Sequence, residues 1–367
     1  MPPESETVPE PETELPLLSA HLPGTGGVIK ADAEHFIVTE VPLYPASGAG
    51  EHIYLTITRK ERETRQIVRD LTRVFQLREA DIGTAGLKDR QARSTQTFSL
   101  HLHKLDPDEA ARRVESELGL QVDAVARHSN KLRTGHLAGN RFEILLTEPG
   151  ADAMTRAAAK WEFLAGRAIP NYYGEQRFGH EGDNVRRGRD LILGRSRERP
   201  GKWLQRFLMS AYQSELFNRW LAARINDGIF LELLAGDVAQ KTDSGGLFVV
   251  ADLAQEVERF TSGAIDYTGP IFGKKMSQPT GRAAEREAAI LATEGMTPDR
   301  FARARLDGTR RRARLLPAEL DLRLEATESG HLRFFFFLPP GSYATVVLDE
   351  FIHGTGTGTG TGRAAVG

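Results

Sequence analysis

One carboxylate in this chain is flanked in sequence by cations. Asp89 stands within GLKDRQARSTQ (Gly86–Gln96), and its charged neighbours are Lys88, Arg90 and Arg93. Cationic neighbours favour the ionised form of an acid, and an ionised carboxylate in a loop can act as a nucleophile or a general base. A solvated surface turn is the commoner meaning of a Lys-Asp-Arg run. Asp89 is therefore a candidate catalytic residue whose role needs support from elsewhere in the sequence.

A second segment, NYYGEQRFG at 171–179, combines aromatic, amide and guanidinium side chains. These groups suit contact with unstacked bases or with an RNA backbone, and Arg177 is the cation among them. The alternative is a loop that faces the core and buries Tyr172 and Tyr173. Both interpretations remain open for the two tyrosines.

Three further residues have side chains suited to holding a base. Asn140 and Phe142 occur in LAGNRFEI, where we expect Asn140 just before a strand and Phe142 within it. Tyr343 follows a Pro-Gly turn in PPGSYAT. A core phenylalanine and an ordinary loop tyrosine are the simpler alternatives for Phe142 and Tyr343.

The composition excludes several kinds of chemistry. The chain has no cysteine, which excludes disulfides, thiolate nucleophiles and Cys-ligated zinc or iron–sulfur sites. Its ten histidines include no HExxH spacing, and the sequence contains no GxxxxGK[ST], GxGxxG or GxSxG motif in the required context. We therefore expect no metal and no cofactor.

The charge balance conceals an uneven distribution. The 48 Lys and Arg and 50 Asp and Glu residues give a formal charge of −2, but the first 20 residues hold five glutamates and no Lys or Arg. Removing those five charges leaves +3 for the rest. Of the basic residues 38 are arginines, whose planar fork suits phosphate contacts and base stacking. A GC-rich genome explains the same arginine bias.

The order of predicted elements indicates an α+β fold with a mixed β-sheet. Alternating patterns predict strands at 36–43, 52–58, 95–102, 141–148 and 332–338, and helical spacing predicts helices at 63–77, 107–118, 151–166 and 203–225. The stretch 81–95 reads as irregular. We expect the late strand at 332–338 to join the sheet that begins near residue 36.

Both ends of the chain have biased composition. The Pro/Glu-rich start, 1–18, predicts a disordered acidic tail, and 354–367 predicts a flexible Gly/Thr tail. The start lacks the features of a signal peptide, and no apolar run reaches the roughly 18–20 residues needed to span a bilayer. We therefore expect a cytoplasmic protein without membrane association.

Several segments occur together and in order in one known family. The chain resembles the TruD family of tRNA pseudouridine synthases from about Leu22 to Ile352. The matching stretches are GTGGVIKADAEHFIVTEVPLYPASGAGEH, AGLKDRQARSTQ, LAGNRFEILL, IPNYYGEQRFG, SAYQSELFN, RRARLLPAEL and FFLPPGSYATVVLDE. The combination of AGxKDR with NYYGEQRFG in this order is highly specific.

The resemblance implies a pseudouridine synthase catalytic domain with a mixed sheet, circularly permuted and split by an inserted α/β domain. On this sequence the catalytic domain is predicted at 19–168 and 316–353, and the inserted domain at 169–315. The implied partner is tRNA, with a uridine in the D-stem region, position 13 in bacterial members, as the target. We expect a monomer that needs no cofactor.

The resemblance also assigns residues. The family's essential aspartate falls on Asp89 and its lysine before the first strand on Lys30, which would pair with Asp89. The active-site Asn and Phe fall on Asn140 and Phe142. Tyr343 stands where the family has Phe or Tyr.

Among the cations, those expected to hold the tRNA backbone are Lys88, Arg90, Arg177 and Arg310–Arg312. Whether Asp89 attacks C1′, attacks C6 or removes a sugar proton stays open at this point.

Two rival functions share some of these features. A non-catalytic RNA-binding protein or tRNA chaperone would use the same arginines and aromatics but has no need of Asp89. A nucleoside or glycoside hydrolase would need a second acid near Asp89, and Glu40 and Glu175 are available in the sequence.

Overall fold

The hydrophobic runs of the sequence become strands and helices close to their predicted bounds. The computed structural model describes residues 15–29, 32–88 and 90–355. In chain order the strands and helices are β1 (Phe36–Pro42), β2 (His52–Lys60), α1 (Thr64–Phe75), β3 (Ile82–Thr84), β4 (Arg93–His101), α2 (Pro107–Leu118), β5 (Gln121–His128), β6 (Leu137–Leu146), α3 (Ala153–Ala165), β7 (Ile169–Pro170), α4 (Asp183–Leu193), α5 (Lys202–Asn226), β8 (Val238–Lys241), β9 (Leu247–Val249), α6 (Leu253–Thr261), β10 (Ile265–Ile271), α7 (Gly281–Thr293), α8 (Pro298–Arg303), β11 (Thr309–Arg312), β12 (Arg314–Leu315), α9 (Pro317–Leu320), β13 (Arg323–Ala326), β14 (Leu332–Leu338) and α10 (Ala344–Ile352).

The described residues divide into two compact units. The split unit contains 19–171 and 315–355, and the middle unit contains 15–18 and 172–314. The predicted catalytic and inserted domains meet at 168/169 and 315/316, whereas the units meet at 171/172 and 314/315.

The two predicted tails lie partly outside the described residues, at 1–14 and 356–367. Pro16 accepts a hydrogen bond from the Tyr172 hydroxyl at 3.4 Å, and the Thr355 N–H donates to Leu22 O at 3.2 Å.

An eight-stranded mixed sheet forms the centre of the split unit. Its order is β13-β14-β6-β1-β4-β2-β5, with β3 paired to β4. Only β1 and β4 run parallel among these pairs. The sheet is therefore mixed and the fold is α+β, as the sequence predicts. The late strand β14 lies in the same sheet as β1, separated from it by β6.

Helices α1 and α2 cover one half of a sheet face. Asp106 caps α2 by accepting from the N–H groups of Asp108 and Glu109, and Gly119 ends it at φ +61°. The core between these helices and the sheet includes Ile53, Leu55, Ile57, Phe98, Leu100, Ile67, Leu71, Val74, Ala110 and Val114. This half of the face is apolar apart from buried Arg59, Ser94 and Gln96.

The other half of that face is covered by α10, which ends close to the start of the unit. Phe334 of β14 packs edge-on against Phe351 of α10 at 5.2 Å between ring centroids. Buried Lys160 on α3 donates to Ser19 O and Oγ, Glu350 O and His353 O at 2.8–2.9 Å. The Ser19 hydroxyl donates to the Glu350 carboxylate at 2.7 Å. These bonds join the first and last described segments of the split unit.

The middle unit is built on α5 and a four-stranded sheet of order β11-β10-β8-β9. Residues Ile265–Pro270 of β10 are all buried, so both faces of this strand are covered. Three buried ion pairs are described in this unit: Arg224 with Asp237 at 2.8 Å, Arg310 with Glu287 at 2.6 Å and Arg314 with Asp266 at 2.8 Å. Its core therefore contains charged groups that are held by their partners.

Candidate active site

The register of three central strands brings distant motifs into one row. Asn140 on β6 lies opposite Glu40 on β1 and opposite Leu338 on β14. Directly opposed residues in an antiparallel pair point to the same face. Asn140 lies inside β6, whereas the sequence predicts it just before the strand. The prediction is wrong because pairing with β1 and β14 extends β6 back to Leu137.

A polar triad of Lys88, Glu40 and Asn140 occupies this row. Lys88 Nζ lies 3.2 Å from Glu40 Oε2, and the two side chains are only 6% and 3% exposed. The same ammonium donates to Asn140 Oδ1 at 2.5 Å. The triad therefore connects the segment that leads into Asp89 with the strand that carries Asn140 and Phe142.

The backbone just before Asp89 is fixed by a second set of bonds. Thr64 Oγ1 accepts from the Lys88 N–H at 2.9 Å, and Gln96 Nε2 donates to Gly86 O at 2.7 Å. Gln96 Oε1 accepts from Thr64 Oγ1 at 3.0 Å and from Arg59 Nη2 at 2.9 Å. Residues 86–88 are thus held by side chains from β4 and α1.

Burial shifts the protonation of two cations in this cluster. Desolvation lowers the pKa of Lys88, and the adjacent Glu40 carboxylate partly opposes that effect. Desolvation also lowers the pKa of Arg59, to about 10. Arg59 therefore remains protonated at neutral pH, and the Glu40 carboxylate favours the charged form of Lys88.

Phe142 belongs to an aromatic row on the same sheet face. Its ring stacks on Phe336 of β14 with centroids 5.3 Å apart and planes 21° from parallel. Phe36 of β1 meets it edge-on at 6.1 Å. Phe36 and Phe336 are buried, whereas Phe142 is half-buried. Phe142 therefore has both a packed side and accessible surface.

Tyr343 reaches its position through the end of β14. Leu338 pairs with Asn140, and a turn follows in which Ser342 N donates to Pro339 O at 3.3 Å. Tyr343 is the half-buried residue that precedes α10. Close strand contact here requires Gly139, because a Cβ at that position would lie 2.3 Å from Leu338 O.

Asp89 and Lys30, the two residues assigned to the central ion pair, lie outside the described residues. Of the cations beside Asp89, Arg90 is exposed, and Arg93 pairs with Glu34 at 3.2 Å. Lys88 pairs with Glu40, so two of the three cations that neighbour Asp89 in sequence have a different carboxylate as partner. The stretch 81–95 is also more regular than predicted, since β3 lies within it and β4 begins at Arg93.

The remaining predicted RNA-contacting residues lie in the middle unit. Arg177 is half-buried, and its guanidinium lies 5.3 Å from the Phe207 ring centroid. Arg310 is buried and donates to both Glu287 carboxylate oxygens, at 2.6 and 3.0 Å, and to Thr268 O at 2.7 Å. The prediction that Arg310 contacts RNA is therefore wrong, because its donors are committed inside the unit.

Comparisons with known proteins decide the family. The family model described as tRNA pseudouridine synthase D (TruD) matches residues 12–199 and 199–351. This chain belongs to the TruD family of tRNA pseudouridine synthases. It is therefore an enzyme of an isomerase family.

Curated relatives and a solved structure agree with this membership. The chain is 44% identical over 345 residues to tRNA pseudouridine synthase D of Anaeromyxobacter sp. (strain Fw109-5), covering 92% of this chain and 96% of the relative. It is 43% identical to tRNA pseudouridine synthase D of Thermus thermophilus, with 91% of each chain covered. A crystal structure of the putative enzyme from Methanosarcina mazei shares the fold, with a TM-score of 0.72, 23% identity and coverage of 92% of this chain and 96% of that one.

Sequence reasoning did not identify Gln96, Arg59 and Thr64 as parts of this TruD site, and it considered Glu40 only as a hydrolase acid. A signal was available. Glu40, Gln96 and Arg59 occupy the core-facing positions of β1, β4 and β2, where an apolar side chain is expected. Buried polar residues need partners, so three of them on adjacent strands indicate a network.

Two features are absent from the described part of this TruD chain. Within residues 15–29, 32–88 and 90–355, no group of three or more His, Asp or Glu residues could hold a metal ion. No helix in the same residues is long and apolar enough to cross a membrane.

Proposed function

We propose that this chain isomerises a uridine of tRNA to pseudouridine, with Asp89 as the essential carboxylate. The target we propose is position 13, in the D-stem region. The names of the curated relatives support tRNA as the substrate, and the resemblance of AGLKDR and GNRF to the family motifs supports Asp89 and the target.

One contact in the structure supports the proposal most directly: the Lys88 ammonium donates to Asn140 Oδ1. This bond joins the AGLKDR segment to the GNRF strand, 52 residues apart in sequence. Because Lys88 precedes Asp89 directly, the residue proposed to react and the residues proposed to hold the base belong to adjoining segments.

The proposed reaction is an isomerisation with a closed atom balance. The N1–C1′ glycosidic bond breaks, the detached uracil rotates, and a C5–C1′ bond forms. C5 loses a proton and N1 gains one, so no redox partner or group donor is required. The ionised carboxylate of Asp89 acts on C1′, on C6 or on a sugar proton, and these three routes share the requirement for its charge.

The other side chains would hold the base once it leaves the helix. Extruding a nucleotide costs a few kcal/mol, and stacking on an aromatic side chain returns about 1–3 kcal/mol per base. Phe142 and Tyr343 are the proposed stacking groups. Lys88 occupies Oδ1 of Asn140, so the amide offers Nδ2 as a donor to a uracil carbonyl. Lys30 is proposed to pair with Asp89, and Arg90 and Arg177 to contact the RNA backbone.

The domain organisation forms part of the proposal. We assign the split unit as the circularly permuted catalytic domain and the middle unit as the insertion of this family. A cytoplasmic monomer that uses neither metal nor cofactor remains our expectation.

The decisive experiment replaces Asp89 by Asn. We expect Asp89→Asn to abolish pseudouridine formation in transcribed tRNA, because the amide cannot supply the negative charge. Binding of the tRNA should stay within about tenfold, since contacts to the phosphates supply most of the affinity. Pseudouridine mapping after incubation without added cofactor measures the first effect, and a binding titration measures the second.

Asp321→Asn is the matched control. Asp321 lies in the split unit and forms a solvent-exposed ion pair with Arg141, so the same chemical change should leave turnover unaffected. Normal conversion by Asp89→Asn would refute the catalytic assignment. Release of free uracil by the unmodified enzyme would favour the hydrolase, and binding without any product would favour the RNA chaperone.

The position of the target has its own test. A transcript with cytidine in place of uridine 13 should yield no pseudouridine, while the unchanged transcript yields one. Pseudouridine elsewhere in both transcripts would show that the enzyme modifies another site.

A further inference from the structure

An exposed tryptophan stands at the start of the longest helix. Trp203 is 60% exposed and is the one aromatic residue among the exposed large hydrophobic side chains of the described residues. Gly201 precedes α5, and Trp203 is its second residue. Large exposed aromatic surface of this kind is typical of binding sites.

The indole is supported from within the middle unit. Phe207, one helical turn later, stacks on it with ring centroids 5.5 Å apart and planes 9° from parallel. Arg177 lies over Phe207 at 5.3 Å, and its Nη2 donates to Ser210 Oγ at 2.5 Å. One face of Trp203 is therefore packed against Phe207, and an indole already held in one orientation loses less entropy when a further ring stacks on it.

The aromatic and guanidinium groups continue inward from this support. Arg177 lies 6.0 Å from the ring of Tyr173, which also has Arg311 at 4.0 Å. Tyr173 in turn meets Phe217 edge-on at 5.6 Å. The support of Trp203 is thus continuous with the core around α5.

The chain around Trp203 is strongly basic. Five exposed cations occur in residues 195–206, namely Arg195, Arg197, Arg199, Lys202 and Arg206. The single carboxylate in this stretch, Glu198, pairs with Arg187 at 2.7 Å. The surface surrounding the indole therefore has an excess of positive charge.

The basic loop is held at both ends. Arg195 N donates to Asp190 O at 2.8 Å, at the end of α4. Gln205 Nε2 donates to Pro200 O at 2.9 Å, which ties the loop to α5. Its cations are therefore displayed on a backbone with a defined path.

We propose that Trp203 and the cations of 195–206 form a stacking platform for an unpaired base of the tRNA substrate and its flanking phosphates. A flat aromatic face with cations around it fits nucleic acid, since every base has a face to stack and every linkage has a negative charge. An apolar protein partner would fit a patch with fewer charges. The inference rests on the proposed function only for the identity of the RNA.

The test measures the affinity for a labelled tRNA transcript rather than turnover. Trp203→Ala should raise Kd by about 5- to 150-fold, because stacking contributes about 1–3 kcal/mol per base. Trp203→Phe retains a stacking face and should stay within about threefold of the unmodified enzyme. Leu253→Ala is the control, since it truncates another exposed hydrophobic residue of the same unit.

The charge contribution is tested with two matched pairs of reversals. Arg197→Glu with Arg199→Glu should weaken tRNA binding. The slope of log binding constant against log salt concentration should become shallower by about one to two units, since each lost phosphate contact removes about 0.9. Arg300→Glu with Arg303→Glu makes the same change in net charge at exposed residues of α8 and should have the smaller effect. Equal effects of the two pairs would overturn the platform in favour of overall charge.

The results separate this inference from the proposed function. A Trp203→Ala enzyme that binds tRNA as tightly as the unmodified enzyme overturns the platform, whatever its turnover. Quenching of tryptophan fluorescence by a single-stranded oligouridylate, present in the unmodified enzyme and lost in Trp203→Phe, supports direct stacking. Absence of quenching in the unmodified enzyme also overturns it. Failure to form pseudouridine affects only the proposed function.

Discussion

The ammonium of Lys88 and the carboxylate of Glu40 form an ion pair at 3.2 Å that is almost completely shielded from water. Taking two charges out of water is costly, and removing one partner of such a pair leaves the other uncompensated. The pair also aligns Lys88 with Asn140. Its geometry therefore joins the stability of the split unit to the arrangement of the proposed active site.

We expect Glu40→Gln to destabilise the enzyme by about 3–5 kcal/mol, because Lys88 would keep a buried charge without a carboxylate. The free energy of unfolding in urea measures the effect. Lys88→Met should cost a similar amount, since it leaves Glu40 unpaired.

A double variant, Glu40→Gln with Lys88→Met, separates the pair from simple loss of packing. It should cost less than the sum of the single changes, because neither charge remains buried alone. Additive effects, or single changes below about 0.5 kcal/mol, would show that the pair is not coupled in this way.

Gly139 gives a second prediction, on the contact between β6 and β14. An added Cβ would lie 2.3 Å from Leu338 O and from Phe337 Cζ, so a strand must move. We expect Gly139→Ala to cost about 1–3 kcal/mol, the usual penalty of overpacking, and to lower pseudouridine formation because Asn140 is the next residue. Urea unfolding and turnover measure the two effects.

The control for this change is Gly166→Ala. No atom lies within 4 Å of a Cβ at Gly166, and its φ of −84° suits alanine. This variant should be within about 0.5 kcal/mol of the unmodified enzyme. A Gly139→Ala enzyme of unchanged stability would show that the two strands tolerate a wider spacing.

Phe142 supports a third prediction, in which packing and base stacking are separated. Phe142→Ala removes the ring that stacks on Phe336 and should cost about 1–3 kcal/mol of stability, less than a fully buried Phe. Turnover of tRNA should fall further than the fraction of folded enzyme accounts for. Phe142→Tyr keeps the ring and should retain most of the turnover.

Circular dichroism fixes the folded fraction for each Phe142 variant, and pseudouridine mapping gives the turnover. If the loss of turnover in Phe142→Ala follows only the loss of folded enzyme, Phe142 is a core residue without a role in holding the base.

Much of the fold could be predicted because its elements follow simple periodic patterns. The helix expected at 203–225 is Lys202–Asn226, and the strand expected at 332–338 is Leu332–Leu338. By contrast, the edge strand Gln121–His128 has an irregular burial pattern, so its sequence lacks a clear alternation. Short β3 exists because it pairs with β4, and local sequence does not specify that pairing.

Part of the site could be predicted because some of its residues lie in short motifs. Motif resemblance identified Asn140 and Phe142, which the strand register places two residues apart on one face. The Lys88–Glu40 pair joins residues 48 apart in sequence, and their contact depends on how β1 and the segment before β4 are folded. Arg310 was predicted wrongly. The basic run Arg310–Arg312 suggested an RNA contact, but the guanidinium of Arg310 binds the buried Glu287 carboxylate.

Asp349 on α10 gives a final prediction, on pH. Burial, reinforced by the neighbouring Glu350 carboxylate, raises the pKa of Asp349 to about 7. The folded state therefore binds a proton that the unfolded state releases near pH 4, so this group stabilises the fold fully only below that pH.

The free energy of unfolding should fall as pH rises from about 4 to about 7, and each unit of displaced pKa corresponds to about 1.4 kcal/mol. Urea unfolding at several pH values measures this fall. His353 lies 3.7 Å from Asp349, so the control variant must keep this neighbour. Asp349→Asn does so, because it cannot ionise and leaves His353 in place, and its unfolding free energy should lose most of the decline. An unchanged slope in that variant would assign the pH dependence to other groups.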